Sequence, residues 1–257
     1  MFCDAHVHMG YYPRIGYRIP FYYSPRRILG ILNRCGVDEF IVSSTCAQIK
    51  DIHIADIIDE AKEMKRMAGD RAHVFFWLSW HLYEEDKELS WLDSGLFEGV
   101  KFHEIETPWV RKYPKQIDEI LDCLEKFNME AMFHCGYSEG CRPNELMQVA
   151  RRHPMLRFDF AHCRPVHEMA EVVASCENVW TDTAYFSPNE FTILDHHDWY
   201  GRLMFGSDLP VWQSREQCNL TSRYRAGMKK WNEMFTERSS FDAFAGFTGQ
   251  RTCRLTS

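Results

Sequence analysis

One unit recurs along this chain: a short β-branched or aromatic run, a polar loop, then an amphipathic stretch. Strand-like runs start at Phe2 (FCDAHVH), Asp38 (DEFIVSS), Ala72 (AHVFFWLS), Glu98 (EGVKFH), Met129 (MEAMFHC), Leu156 (LRFDFAH), Asn178 (NVWTDT) and Arg202 (RLMFGSD). These eight runs start 22 to 36 residues apart. Between them, Asp51 to Met67 places Ile54, Ile57, Ile58, Ala61 and Met64 at helical spacing. Lys115 to Phe127 does the same with Ile117, Ile120, Leu121 and Leu124. Pro143, Pro165 and Pro188 stand where helices would begin, which suits proline in a first turn. Strands alternating with helices pack as parallel βαβ units, in a doubly wound sheet or a barrel. Eight strands in 257 residues favour the barrel. The expected fold is therefore α/β: a single (β/α)8 TIM barrel over residues 1–257, with Asn232 to Ser257 forming a closing helix or two.

Composition narrows the function classes. Hydrophobic residues make up 45% and aromatics 14%, enough for a sizeable core, which excludes disordered and fibrous chains. The chain has only 14 glycines, and no strand is followed by a G-x-G-x-x-G or P-loop, so nucleotide binding has little support. A net charge of -7 argues against nucleic-acid and anionic-membrane partners. The ten cysteines contain no C-x-x-C pair and several lie in apolar runs, so they read as small core hydrophobes. Asp4 interrupts the first apolar residues, unlike a signal peptide, and the stretch from Val74 to Leu82 is too short to span a bilayer. A reducing, cytoplasmic setting without membrane contact is the expectation.

The chemistry-bearing residues fall at the C-terminal ends of the runs, where barrel enzymes place their active sites. His6 and His8 share one strand face, and their imidazoles stand about 6 to 7 Å apart along the strand. His134 ends the fifth run, His162 the sixth, and Asp208 the eighth. Lys101 and His103 share one face of the fourth. Singly, each has an ordinary reading: a chance H-x-H, loop histidines, an N-cap aspartate. Together they would point into one mouth. Neutral imidazoles with one carboxylate suit zinc, with manganese, iron or nickel as alternatives, and an open position marks a catalytic site. His53, His73, His81, His153, His167, His196 and His197 read as solvated or structural.

The segments Asp4-Ala5-His6-Val7-His8, Gly99-Val100-Lys101-Phe102-His103 and Gly206-Ser207-Asp208-Leu209-Pro210, with His134 and His162 between them, resemble the amidohydrolase superfamily. The branch they resemble is the amidohydrolase-2 type, which includes aminocarboxymuconate-semialdehyde decarboxylase. The resemblance runs from residue 2 to about 255, but Gly249-Gln250-Arg251 departs from the family's closing Gly-Asn-Ala. It implies that His6, His8, His134 and Asp208 are metal ligands. Asp208 would also take a proton from metal-bound water, and His162 would be the acid/base residue. In binuclear branches a carbamylated lysine on this strand bridges two metals, so Lys101 is a candidate bridge. The amidohydrolase-2 branch manages with one metal, which we favour here. The implied activity is hydrolysis of a small amide, lactone or ester. The alternative is non-oxidative decarboxylation of a small aromatic or unsaturated carboxylic acid. A TatD-like nuclease is disfavoured by the charge and by the lack of a Gly-Glu-Ile-Gly-Leu-Asp segment on the fourth run. A non-catalytic barrel is disfavoured by the complete residue set.

Residues 10–25 (GYYPRIGYRIPFYYSP) read as a loop over the mouth, offering Arg14 and Arg18 to a substrate carboxylate or phosphate. The same aromatics would equally suit the barrel rim or a dimer contact. Arg142 and Arg164, close after the site histidines, are further anion-binding candidates, and His103 is a candidate substrate neighbour. The expected partner is a small molecule, carboxylate-bearing on this reading. Eight tryptophans and the Tyr/Arg-rich loop also suit a homodimer.

Overall fold

The computed structural model describes residues 1–12, 21–184, 200–211, 219–234 and 237–249. Nine strands form one sheet: β1 (Cys3–Tyr12), β2 (Phe21–Tyr23), β3 (Glu39–Ser44), β4 (Ala72–Trp77), β5 (Gly99–Phe102), β6 (Glu130–His134), β7 (Phe158–Ala161), β8 (Val179–Asp182) and β9 (Leu203–Met204). The order is β2-β1-β3-β4-β5-β6-β7-β8-β9. All neighbours are parallel except β1 and β2. The residues after β9 return to β1. Ala5 N–H donates to Phe205 O (2.7 Å), Asp208 N–H to His6 O (2.8 Å) and His8 N–H to Leu209 O (2.6 Å). These bonds close the eight parallel strands into a barrel, and each of the eight sequence runs supplies one of them.

Strand β1 is longer than its sequence run suggests. It continues past His8 to Tyr12 and pairs antiparallel with β2, Tyr11 opposite Tyr22. Part of the expected loop is therefore a hairpin. Aromatic side chains favour a pleated, half-buried surface, and Tyr12 and Tyr23 are buried on it. The helices Ile54–Ala68 and Pro114–Phe127 lie close to their sequence patterns, and Pro25–Cys35, Pro143–Arg152 and Val166–Ser175 follow β2, β6 and β7. Pro143 opens its helix, Pro165 stands one residue before the next, and Pro188 lies outside the described residues.

Parallel strands covered by helices are buried on both faces, and β4 is buried at every position. One apolar layer lies between sheet and helices; a second fills the barrel floor. Cys3, Ala5, Ile41, Phe75, Met132 and Met204 point into that floor. The helix Glu237–Phe247 caps it with Phe244 and Phe247. Gly99 is what admits the Phe75 ring: a Cβ there would stand 2.6 Å from it and 2.7 Å from Glu130 O. The closing element is two helices, since Leu220–Met234 precedes the cap and begins before Asn232. Among the described residues, Cys3, Cys35, Cys46, Cys123, Cys135, Cys141, Cys163 and Cys176 form no disulfide, and most are buried. Among the described residues no helix is long and apolar enough to cross a membrane.

Candidate active site

With the floor plugged by Phe244 and Phe247, the chemistry-bearing residues gather at the end toward which the strands run. His6 and His8 project there from β1, their Nε2 atoms 3.1 Å apart. Their Nδ1 atoms diverge: that of His6 lies 2.8 Å from Asp182 Oδ2, that of His8 3.0 Å from Ser43 Oγ. Asp208 Oδ1 is 3.0 Å from His8 Nε2 and 3.7 Å from His6 Nε2. Asp208 has a left-handed backbone (φ 50°), as does His162 (φ 76°). Such conformations cost about 1–3 kcal/mol each and collect at functional sites. At Asp208 the bond from its N–H to His6 O fixes the turn, and Ser207 N–H donates to Asp4 Oδ1 (3.0 Å).

Two further imidazoles complete the wall. His162 Nε2 lies 2.9 Å from His134 Nδ1, and His162 Nδ1 lies 3.3 Å from Ala184 O. A Nδ1–H on His162 aimed at that carbonyl leaves its Nε2 as an acceptor. His134 Nδ1–H then donates to it, leaving the lone pair of His134 on Nε2. His162 stacks on His6, and His103 on both His134 and Trp77, at ring separations of 4.7, 4.1 and 5.5 Å. Lys101 is buried among them, its Nζ 2.6 Å from His6 Nε2 and 5.1 Å from the Trp77 ring centre. Arg164 Nε donates to Cys135 O (3.2 Å), which sets the guanidinium beside this group.

Burial governs the charges. It pushes His8 down to about 3, helped by the Lys101 ammonium, and His103 to about 3 for the same reasons. It also holds His134 and His162 well below the ordinary imidazole range, reinforced by neighbouring imidazoles, Arg164 and Lys101. Burial would raise Asp208, but its hydrogen bond to His8, with the Lys101 ammonium nearby, outweighs that and holds it below the ordinary carboxylate value. The mouth thus presents the neutral imidazoles of His8, His103, His134 and His162 beside one carboxylate.

The family model described as Amidohydrolase (Amidohydro_2) matches residues 47–219, about two-thirds of the chain. The chain belongs to the amidohydrolase family. The matched span holds Lys101, His134, His162 and Asp208, while His6 and His8 precede it. No curated protein matches this amidohydrolase in sequence. Its fold is shared with a probable 2-pyrone-4,6-dicarboxylic acid hydrolase of Acinetobacter baumannii, solved with citric acid bound (12% identity, TM-score 0.69, 96% of this chain and 99% of that one). An amidohydrolase of Burkholderia multivorans with bound zinc is similar at 14% identity and TM-score 0.67 (97% and 99%). So is 5-carboxyvanillate decarboxylase of Sphingomonas paucimobilis, at 11% and 0.57 (87% and 81%). At these identities the likeness concerns the fold.

The donor set of this amidohydrolase fits a divalent ion. One atom each from His6, His8 and Asp208 lies within 4.8 Å of the other two, all from buried residues. His134 is brought to the same wall but faces His162. Arg14 and Arg18 lie outside the described residues. Arg142 is engaged elsewhere, paired with Glu168. Of the histidines read as structural, His53 and His167 are exposed, while His73 and His153 are buried in ion pairs away from the mouth. His196 and His197 lie outside the described residues.

The sequence reading missed two carboxylates. Asp182 ends β8 and touches His6; Asp159, on β7, is fully buried beside Asp182. Burial, with the Asp182 charge close by, holds Asp159 far above the carboxylate range, so it is a neutral acid. Both lie in runs identified as strands, and placing aspartates on the inward face by strand alternation would have found them.

Proposed function

We propose that this amidohydrolase is a metal-dependent hydrolase of a small, carboxylate-bearing amide, lactone or ester. The observation that supports it is the convergence of His6 Nε2, His8 Nε2 and Asp208 Oδ1, three buried donors suited to one divalent ion. Zinc fits these donors best, with manganese, iron and nickel as alternatives. His134 would add its Nε2. When bound, such an ion polarises a carbonyl and, for zinc, brings the pKa of a water to about 7. Asp208, kept ionised, accepts the proton of the attacking water. His162, whose Nε2 accepts from His134 Nδ1–H, would stand beside the substrate as the acid/base residue that steadies the developing charge. Arg164 offers a planar fork to a substrate carboxylate, and Lys101 adds positive charge below it. His103 and Trp77 supply a flat wall for an unsaturated or aromatic substrate.

The test has two arms. Protein purified without chelator is assayed for metal, then for turnover on a panel of lactones, amides and aromatic carboxylic acids. About one ion per chain and appearance of a ring-opened acid or a free amine are expected. Protein that holds well under one ion per chain, and gains none with zinc or manganese, would sink the reading. Release of carbon dioxide in place of a hydrolysis product would replace hydrolase by decarboxylase on the same residues.

A further inference from the structure

Asp182 is completely buried at the end of β8, and both of its oxygens are used. Oδ2 accepts from His6 Nδ1 at 2.8 Å. Oδ1 accepts the backbone N–H groups of Ala184 (2.7 Å) and His162 (3.2 Å). The carboxylate therefore stands behind His6, because the opposite ring nitrogen is the one facing His8 and Asp208. A proton on Nδ1 bound to Asp182 leaves the Nε2 lone pair aimed into the site. The same carboxylate tethers His162, whose left-handed backbone needs an anchor.

A third residue keeps this place open. A Cβ on Gly206 would stand 2.6 Å from Asp182 Oδ1 and 2.8 Å from its Cγ. The glycine of Gly206-Ser207-Asp208 thus makes room for the carboxylate, whatever else the turn requires.

We propose that Asp182 is the positioning residue of this site: it orients His6 for metal and His162 for proton transfer, and Gly206 is its cradle. The proposal deepens the hydrolase reading and rests on it for the metal. It places Asp182 behind His6 and not on the ion, and the metal stoichiometry measured below separates it from a ligand set of His6, His162 and Asp182, whose donor atoms also lie within 4.8 Å of one another. Outer partners of ligand histidines typically contribute 10- to 100-fold in metal affinity.

The test uses the full chain as wild type, Asp182→Asn and Gly206→Ala. Asn presents an amide N–H group or a weaker acceptor to His6. Gly206→Ala keeps the charge and displaces it. Three quantities are measured: zinc affinity by competition with a chromophoric chelator, the number of ions bound, and the His6 imidazole 15N shifts of metal-free protein. Expected are a His6 proton on Nδ1 in wild type, loss of that preference in both variants, and zinc affinity about 10- to 100-fold weaker at unchanged stoichiometry. Thermal melting identifies a variant that fails to fold, and the other variant then decides. Affinity within about twofold of wild type with the tautomer retained would overturn the proposal. Loss of a whole equivalent of zinc would overturn it too, by making Asp182 a ligand. If wild type binds no zinc, the hydrolase reading fails, and the His6 tautomer in the variants still decides the positioning role.

Discussion

The Lys101 ammonium nitrogen lies 2.6 Å from Nε2 of His6, the same nitrogen that faces His8 and Asp208. A lysine so completely buried is costly to keep charged, and burial does lower its pKa, against the pull of Asp208 and Asp182. On the proposed hydrolase reading, its place under the candidate metal position would supply positive charge where a substrate oxygen gains negative charge.

Replacing Lys101 by methionine separates the two roles that the sequence allows. As a charge beneath one ion, its loss should leave metal content at about one per chain and lower kcat by about a hundredfold, as for one preorganised donor. As a bridge between two ions, its loss would remove one ion as well. Metal analysis of the wild type and of Lys101→Met decides between them.

Asp208 and His162 should also separate. Asp208→Asn removes a ligand charge and the proton acceptor together, so metal content and turnover should both collapse. His162→Asn should retain the metal and lose turnover by about 10²- to 10⁴-fold, the usual worth of a positioned proton carrier. Equal metal loss in the two variants would make His162 a ligand.

Arg164 should act on binding. Its planar fork is not replaced by a shorter cation. Arg164→Met should raise KM for a carboxylate-bearing substrate about ten- to a hundredfold, matching the loss of one charge-assisted hydrogen bond of roughly 1.5–3 kcal/mol. The kcat should change little. An unchanged KM, measured beside an uncharged ester analogue, would remove Arg164 from the substrate site.

What the sequence made legible follows from how local each signal is. The eight parallel strands carry β-branched and aromatic runs of their own, and the helices carry their own periodicity, so both are readable one segment at a time. His6 and His8 share a strand, and their common orientation needs only period-two alternation. Asp182 is different. Alternation puts it on the inward face, but its job exists only because β8 reaches across the barrel to His6, 176 positions earlier in the chain. Gly206 is legible only from the carboxylate that its missing side chain admits. The β1–β2 hairpin was hidden for another reason: Tyr-rich segments suit a strand, a lid and a rim alike, and pairing alone chose the strand.

At the opposite end of the barrel, His73 makes an electrostatic prediction of the opposite sign to the site imidazoles. It lies on β4 with its ring against Phe244 of the cap (5.4 Å), Nε2 3.2 Å from Glu39 and Nδ1 bonded to Glu98, which also binds Lys65. Burial by itself would lower its pKa, but the two carboxylates outweigh that and raise it from 6.5 to about 9. A raised imidazole pKa stabilises the folded state fully below the unfolded value, 6.5. That contribution is lost progressively as pH rises through about 9. The shift corresponds to at most roughly 3 kcal/mol. His8 behaves inversely: held neutral to about 3, it costs stability as pH falls below 6.5. That cost is common to wild type and a His73 variant, so it cancels in their difference. Denaturant unfolding of wild type and His73→Gln should therefore show a gap of up to roughly 3 kcal/mol near pH 6 that nearly closes by about pH 10. A gap of the same size at both pH values would mean that His73 contributes packing against Phe244 and not charge.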